Sequence, residues 1–225
     1  MNAQRLALAC VLSAALPTAA SVAQPGFKVL FDGTSTEAWR GFRRDAFPAR
    51  GWVVERGALK TIVGGDLRDI VTKDTFKDFE LELEWKVSPG GNSGVFYGVS
   101  ETEGETYFTG PEMQVLDDLG HADGKDPKTS AGSLYALVAP TGKALKPVGE
   151  FNQARIVKKG SHVEHWLNGK KVVQYELGST ALAKLIAESK FKDMQRFAKE
   201  SEGHIALQHH GQEVWFRNVK VRAGS

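Results

Sequence analysis

The chain has 225 residues, and its 29 Lys and Arg against 27 Asp and Glu give a formal net charge of only +2. This balance excludes the strongly basic character expected of a protein that binds nucleic acid. The only cysteine, Cys10, lies in the first apolar stretch, so the rest of the chain can form no disulfide. A hydrophobic core alone must hold it together.

The first stretch, residues 1–23, has the order of a secretory signal peptide. Arg5 precedes an apolar run at 6–16, and small residues follow up to Ala23, after which we expect cleavage. The run is shorter than the roughly 20 residues that a membrane-spanning helix needs. A lipid anchor at Cys10 is the alternative, but that cysteine lies within the apolar run.

The remaining residues, 24–225, are expected to form one domain, periplasmic or secreted. A chain of roughly 200 residues is enough for one all-β domain or one α/β domain. It contains no second apolar segment that could span a membrane.

Short strands separated by turns are predicted along most of this domain. The segments with apolar runs or alternation are, in order, KVLFDG, GWVVERGALKTI, DFELELEWKVSPGG, NSGVFYGV, PEMQVLDD, AGSLYALVAP, NQARIVKKG, HVEHWLNGKKVVQYEL, GHIALQHHG and VWFRNVKVR. Asn168-Gly169 between two runs is a strong hairpin signal. Together these segments favour an all-β fold, a two-sheet jelly-roll β-sandwich.

One segment differs from the rest. Residues 179–201 contain no Gly or Pro, and Leu182, Leu185 and Ile186 follow helical spacing after a capping Ser179 or Thr180. We expect one or two short helices there, packed at the rim of the sandwich.

The stretch GPEMQVLDD places polar residues where a strand could face either water or a site. As a strand it puts Met113 and Val115 on one face and Glu112 and Gln114 on the other, with Asp117 shortly after. A solvated outer face would explain such polar residues without any function.

GHIALQHHG repeats this pattern near the C-terminus. Ile205 and Leu207 define a core face, so Gln208 and His210 belong to the opposite face. If both strands share a sheet, these residues and those of the earlier strand form one polar patch. We favour a site on the concave face of the sheet, where sandwich proteins hold sugars.

Other chemistry has weaker support. The histidines lack the spacing of a zinc motif, although Glu112, Asp117 and His210 leave a divalent metal ion open as a cofactor. Arg217 could point into the site or to solvent, since the apolar pattern of VWFRNVKVR changes face and indicates a bulge. A purely structural role is the remaining possibility.

The order of several separate motifs resembles one known family. These motifs are FDG, GGNSGVFY, GPEMQVLDD, AGSLYALVAP, EFNQARIVKKGSHVEHWLNGKKVVQYE, SKF, GHIALQHHG and FRNVKVR, which together run from about Phe27 to Arg222. They resemble the DUF1080 family, described as 3-keto-disaccharide hydrolases, 3-keto-glucoside 1,2-lyases and 3-keto-2-hydroxyglucal hydratases. The resemblance implies a concanavalin A-like fold of the lectin and glucanase type.

The resemblance also implies a reaction on carbohydrate. In a sugar oxidised at C3, a base can remove the acidified C2 proton, and the C1 oxygen then leaves by β-elimination. This route needs a base, an acid and a group that stabilises the enolate, and hydration of the product would complete hydrolysis. The implied catalytic residues are His210 as base and Glu112 as proton donor or metal ligand. The implied substrate-binding residues are Gln114, Gln208, Arg217, Asn152, Asp117 and Tyr135.

Two other functions remain open. A non-catalytic, lectin-like carbohydrate-binding module would have the same architecture, since fold alone does not decide function. An ordinary glucanase of this fold typically carries closely spaced carboxylates in a Glu-x-Asp-x-x-Glu strand, but Gln114 occupies the middle position here. The family commonly has an acidic residue at His209 and an Arg near Gly98, so this chain departs from the family pattern at both positions.

Overall fold

The structure, a computed structural model, describes residues 26–224, and the predicted signal peptide lies outside them. The strands are Lys28–Phe31 (β1), Trp39–Gly41 (β2), Trp52–Glu55 (β3), Ala58–Thr61 (β4), Ile70–Thr72 (β5), Phe79–Val87 (β6), Asn92–Val99 (β7), Glu112–Leu116 (β8), Asn152–Lys159 (β9), His162–Leu167 (β10), Lys170–Glu176 (β11), His204–Leu207 (β12) and Val214–Ala223 (β13). One α-helix, Thr180–Ala187 (α1), interrupts them. Among the described residues, no helix is long and apolar enough to cross a membrane.

Two antiparallel sheets form a jelly-roll sandwich, as the sequence predicts. The larger has the order β11-β10-β9-β6-β13-β4-β3, with β1 also paired to β13, and the smaller has the order β2-β5-β12-β7-β8. Their inner faces share one hydrophobic core. Strands β7, β8 and β12 are adjacent, although β12 is far from the other two in the chain.

Strand β6 shows why alternation predicts this packing so well. Leu81, Leu83 and Trp85 are buried in the core between the sheets. Glu82 and Glu84 face outward, where Glu82 pairs with Lys220 at 2.9 Å. Strand β6 therefore presents its carboxylates on the outer surface of the larger sheet.

The hairpin and the bulge that the sequence predicts are both present. Asn168 and Gly169 adopt positive φ angles of 47° and 79°, which a two-residue hairpin turn between β10 and β11 requires. In β13 the pairing with β6 shifts between Arg217 and Lys220. Because of this bulge, Val219 faces the core as Phe216 does. Simple alternation would place these two residues on opposite faces of the strand.

AGSLYALVAP does not form a regular strand, which corrects the sequence prediction. Leu134 makes isolated bridges with Met113 and Val138, and Ala136 has a positive φ of 59° that turns the chain back. The segment nevertheless pairs with the edge of β8, because Tyr135 donates its backbone N–H to the Glu112 carbonyl at 3.1 Å. The short strands β2 and β5 were not predicted.

The helical segment packs on a second, smaller core. Ser179 caps α1 by accepting a hydrogen bond from the Leu182 backbone N–H at 3.1 Å, as expected for a Ser N-cap. The cluster combines Leu134, Leu137, Val173, Leu182, Phe191 and Phe197. Through this cluster, the segment after α1 packs against the turn at Leu134.

A polar network crosses the main core. The Tyr97 hydroxyl contacts His165 Nε2 at 2.8 Å and the Tyr175 hydroxyl at 2.5 Å, and His165 Nδ1 lies 3.3 Å from the Gly132 carbonyl. Burial lowers the pKa of His165 to about 4, although hydrogen bonds to backbone carbonyls oppose this shift. His165 is therefore a structural residue, as its position in the hairpin suggests.

This burial predicts a loss of stability in acid. The unfolded chain binds a proton on His165 at its ordinary pKa of 6.5, whereas the folded chain does so only near 4. The free energy of unfolding should therefore fall as pH decreases from 6.5 toward 4, by about 1.4 kcal/mol per pH unit from this residue. The free energy of unfolding, measured with urea at pH 6.5 and at pH 5, should decrease between these pH values by about 2 kcal/mol less in His165→Gln than in the unchanged protein. Equal losses in both proteins would contradict the neutral, buried assignment.

Candidate functional site

The polar residues of GPEMQVLDD lie on the outer face of the smaller sheet. Met113 and Val115 are fully buried between the sheets, so Glu112 and Gln114 project to the other side. Both remain buried there, at 7% and 1% exposure. A face that merely contacts water would leave them exposed, so this face is covered.

Gly94 gives the Glu112 side chain its space. On β7, Gly94 lies beside β8, and a Cβ atom at this position would come within 2.0 Å of Glu112 Oε1. Real Cβ atoms do not approach other atoms so closely. Any larger residue at position 94 would displace the carboxyl group.

A cavity of about 170 Å³ opens above this pair. Its lining combines side chains from six separate parts of the chain: Asn92, Tyr107, Glu112, Gln114, Tyr135, Lys190, Gln208 and His210. Five of these were predicted as site residues, namely Glu112, Gln114, Tyr135, Gln208 and His210. A wider recess of about 400 Å³ near Lys28 and Asp74 is less suited to chemistry, since these two charges pair with each other.

Burial makes Glu112 a weak acid. It raises the pKa of this carboxyl group to about 8, and the charges of Asp69 and Asp123 add to the increase, while Lys190 opposes it. Within residues 26–224 the carboxyl group has no hydrogen-bond partner that would stabilise its ionised form. Glu112 is therefore protonated at neutral pH and can donate a proton.

His210 lies at the mouth of the cavity. Its side chain is exposed, and its ring meets the edge of the His121 ring with centroids 6.2 Å apart. Nδ1 lies 3.3 Å from Oε1 of Gln212, which can only accept, so a neutral ring that makes this hydrogen bond carries its hydrogen on Nδ1. Nε2 then keeps its lone pair and can accept a proton.

The two glutamines can bind hydroxyl groups. Gln114 donates from Nε2 to the Thr129 carbonyl at 3.2 Å, which leaves its buried Oε1 without a partner among the described residues. A buried acceptor without a donor costs free energy, so a ligand hydroxyl would satisfy it. Gln208 is held through its backbone, whose N–H donates to the Gly94 carbonyl at 3.0 Å.

Tyr135 forms one wall. Its hydroxyl donates to Asp123 Oδ2 at 3.2 Å, and burial, together with the nearby Asp123 and Glu112 charges, raises its pKa. It therefore stays a neutral hydroxyl.

Three lining residues were missed by the sequence interpretation. Asn92 lies in the GGNSGVFY motif and Lys190 in SKF, so both had a signal as parts of quoted motifs. Tyr107 belongs to a short 3-10 helix, and nothing in its sequence surroundings pointed to a site. Side chains from loops are hard to place because strand periodicity does not reach them.

Arg217 does not reach the cavity, which corrects its predicted placement. It lies on the outer face of the larger sheet, where Nε donates to Glu84 Oε2 at 2.7 Å. Its guanidinium group also stacks over Phe151, with its central carbon 3.8 Å from the ring centroid. Because the preceding residue Phe216 faces the core, strand alternation turns Arg217 to this outer surface.

Asn152 and Asp117 also lie outside the cavity. Asn152 Oδ1 accepts from the Lys146 backbone N–H at 2.9 Å and from Asn168 at 2.8 Å, so it organises a turn. Asp117 accepts from the backbone N–H groups of Gly90, Leu119 and Gly120. Burial acts to raise the pKa of Asp117, but these three donors outweigh it and lower the pKa.

The residues present do not assemble a metal site. Within the described part of the chain, no group of three His, Cys, Asp or Glu side chains could hold a metal ion. Asp117 lies outside the cavity that Glu112 and His210 line, and its oxygens accept the backbone hydrogen bonds described above. The donor set that the sequence left open for a divalent ion therefore does not fit one.

Known proteins of the same architecture agree with this description. An endo-β-1,3(4)-glucanase of family GH16 has a TM-score of 0.53 at 10% identity and covers 90% of this chain and 96% of its own, which shows the fold alone. A solved structure from Parabacteroides distasonis ATCC 8503, described as a candidate glycosyl hydrolase, is 30% identical with a TM-score of 0.82. It covers 92% of this chain and 100% of that one.

Fold and cavity thus define a jelly-roll protein with a titratable polar pocket on its smaller sheet. The chain belongs to the family of 3-keto-alpha-glucoside-1,2-lyase-like domains, whose model matches residues 26–222. A curated relative from Bacteroides thetaiotaomicron, named 3-keto-disaccharide hydrolase, is 36% identical over 227 residues. That match covers 88% of this chain and 78% of the relative.

The protonated state of Glu112 can be measured directly. Carbon-13 NMR on protein labelled at glutamate carboxyl carbons should show one resonance that titrates with a midpoint near pH 8, because burial disfavours the charged form. Glu112→Gln should remove that resonance and so assign it. A midpoint below about pH 5, close to the ordinary glutamate value, would contradict this burial.

Proposed function

We propose that this protein is an enzyme that cleaves the glycosidic bond of 3-keto-glycosides, among them 3-keto-disaccharides, by elimination and hydration. The single observation that supports this best is the meeting of a protonated Glu112 and an exposed His210 at one cavity. An acid and a base with separate roles are what β-elimination requires. The membership of the family and the name of the Bacteroides relative support the same substrate class.

His210 acts first in the proposed reaction. Its Nε2 removes the C2 proton of the sugar, and the C–H electron pair moves toward the C3 ketone to form an enolate. Imidazole suits this step because histidine side chains as a class titrate near neutral pH.

Glu112 acts on the leaving group. As the enolate electrons reform the C3 carbonyl and create the C1–C2 double bond, the C1–O bond breaks and its oxygen takes the Glu112 proton. No oxocarbenium ion forms, so the second opposed carboxylate of an ordinary glycosidase is not needed.

Hydration returns both groups to their starting states. Water adds at C1 and gives its proton to the Glu112 carboxylate, while protonated His210 returns a proton to C2. The sum is hydrolysis. Gln114 Oε1 and Gln208 bind sugar hydroxyls, and Tyr135 forms the wall beside them.

We also propose that residues 24–225 act as one exported domain, periplasmic or secreted, after removal of residues 1–23. The segment order at the N-terminus supports this. Fractionation of cells that produce the full chain would test it, with N-terminal sequencing of the product.

The substrate class is tested by comparing one disaccharide with its 3-keto form. Cleavage of the 3-keto form alone, unchanged by chelator, is expected. Binding of either form without turnover would favour the lectin-like alternative, and cleavage of the unoxidised sugar would favour an ordinary glycosidase.

The acid role of Glu112 predicts a dependence on the leaving group. Glu112→Gln should lower kcat/KM about 10²–10⁴-fold for a 3-keto-disaccharide, whose alcohol needs a proton to leave. For a 3-keto-glucoside of 4-nitrophenol, kcat/KM should fall much less, since that phenolate leaves without a proton donor.

The unchanged enzyme should also lose disaccharide activity as pH rises through about 8, where Glu112 ionises. Glu82→Gln, on the larger sheet, is the matched control and should leave kcat/KM unchanged for both substrates. An equal fall in kcat/KM for both substrates in Glu112→Gln would show that Glu112 is not the acid.

The base role of His210 predicts a different result. His210→Ala should lower kcat/KM for both 3-keto substrates to a similar extent, because C2 proton removal precedes departure of either leaving group. Circular dichroism would show that the variant folds. Full activity of folded His210→Ala would show that another residue is the base.

A further inference from the structure

The cavity contains one lysine whose charge has no anionic hydrogen-bond partner. Lys190 Nζ lies 4.3 Å from the ring centroid of Tyr135, 5.3 Å from that of Phe191 and 6.0 Å from that of Tyr107. Across residues 26–224 it makes no hydrogen bond or salt bridge. Aromatic faces hold a cation in place without neutralising its charge.

The chain builds a firm support for this lysine. Directly after α1, the Ser189 hydroxyl donates to the Ile186 carbonyl at 2.8 Å and accepts from the Phe191 backbone N–H at 3.1 Å. Phe191 is 2% exposed and stacks on Phe197, with centroids 4.0 Å apart and ring planes 8° apart. The turn is therefore fixed on both sides of Lys190, which limits how far the ammonium can move.

Lys190 is also the only Lys or Arg among the residues that line the cavity. The cation expected from the sequence, Arg217, is neutralised by Glu84 on the other sheet. Glu112, the one acidic residue in the lining, is uncharged at neutral pH. Among the residues that line the cavity, the Lys190 ammonium therefore has no anionic partner before the reaction begins, and the Asp123 carboxylate acts on it only through space.

Negative charge develops in this cavity during the proposed reaction. When His210 takes the C2 proton, the electron pair of that bond moves into the C2–C3 bond and the carbonyl electrons move to the C3 oxygen. The product is an enolate whose oxygen carries a full charge. A donor fixed in advance beside such an oxygen stabilises the transition state more than the uncharged ketone.

We propose that Lys190 is a catalytic residue that donates a hydrogen bond from its ammonium group to the C3 oxygen as the enolate forms. This inference rests on the proposed function. Lys190 stays protonated throughout, so the proton balance between His210 and Glu112 is unchanged. Burial around the ammonium lowers the pKa of Lys190, and the charges of Glu112, once ionised, and of Asp123 oppose this shift. The partial loss of hydration strengthens the interaction of the ammonium with an oxyanion.

Enolate formation can be measured apart from bond cleavage. The probe is the 3-keto derivative of 1,5-anhydroglucitol, which has two hydrogens and the ring oxygen at C1 but no glycosidic oxygen, so the departure that Glu112 assists cannot occur. In deuterium oxide, proton NMR follows exchange of its C2 hydrogen. Lys190→Met should slow this exchange about 10²–10³-fold relative to the unchanged enzyme, as loss of one oxyanion donor does elsewhere.

Two matched variants separate charge from position. Lys190→Arg keeps a cationic donor and should retain exchange within about tenfold of the unchanged enzyme, since one oxyanion donor is replaced by another. Lys192→Met removes a nearby exposed lysine that does not line the cavity and should leave exchange unchanged. Circular dichroism and thermal melting would confirm that each variant is folded, and Lys190→Gln replaces Lys190→Met if the latter is unfolded.

The outcomes distinguish this inference from the function on which it rests. If the unchanged enzyme exchanges no C2 hydrogen, the proposed function itself fails. If it exchanges the hydrogen and folded Lys190→Met does so at a similar rate, only the role of Lys190 fails. A reduced covalent adduct on Lys190 after borohydride treatment with the ketone would also overturn it, because it would show an imine instead of an ammonium donor.

Discussion

The site depends on a carboxyl group that is buried without a hydrogen bond. Ionised carboxylates are costly to bury unless they are paired, so such a group keeps its proton. Glu112 meets this condition because β8 directs it away from the core and Gly94 leaves room for it beside β7. The absence of one side chain at position 94 thus sets the chemistry of another at position 112.

The two outer faces of the sandwich differ in how their charges are balanced. On the larger sheet, the outward glutamates of β6 pair with basic residues, as Glu84 does with Arg217. On the smaller sheet, the Gln114 oxygen and the Lys190 ammonium lack hydrogen-bond partners among the described residues. Paired charges are typical of a solvated surface, whereas unpaired polar groups in a cavity are typical of a binding site whose ligand supplies the missing hydrogen bonds.

Some residues of the cavity are placed by neighbouring strands, and the others are placed by loops. Residues on β8 and just after β12 come together because both strands flank β7 in the smaller sheet. Tyr135 is placed by backbone pairing with β8, and Lys190 by the second hydrophobic cluster. That cluster therefore has a consequence beyond stability, since Phe191 holds the turn from which Lys190 extends.

Much of the fold could be predicted from local pattern. A period of two assigns Met113 and Val115 to the core and Glu112 and Gln114 to the other face, whatever the rest of the chain does. The same rule placed Gln208 and His210, and a turn sequence located the hairpin at Asn168. These predictions depend on neighbours in the chain, which the sequence shows directly.

Only the tertiary structure decided which polar residues meet. Arg217, Asn152 and Asp117 have suitable chemistry, but Arg217 belongs to the other sheet, and local hydrogen bonds hold Asn152 and Asp117 outside the cavity. Lys190 reaches the cavity because distant apolar residues pack together, and the pKa of Glu112 rises because the folded chain buries its carboxyl group. Burial and long-range contact depend on the whole folded chain, so no local pattern could have revealed them.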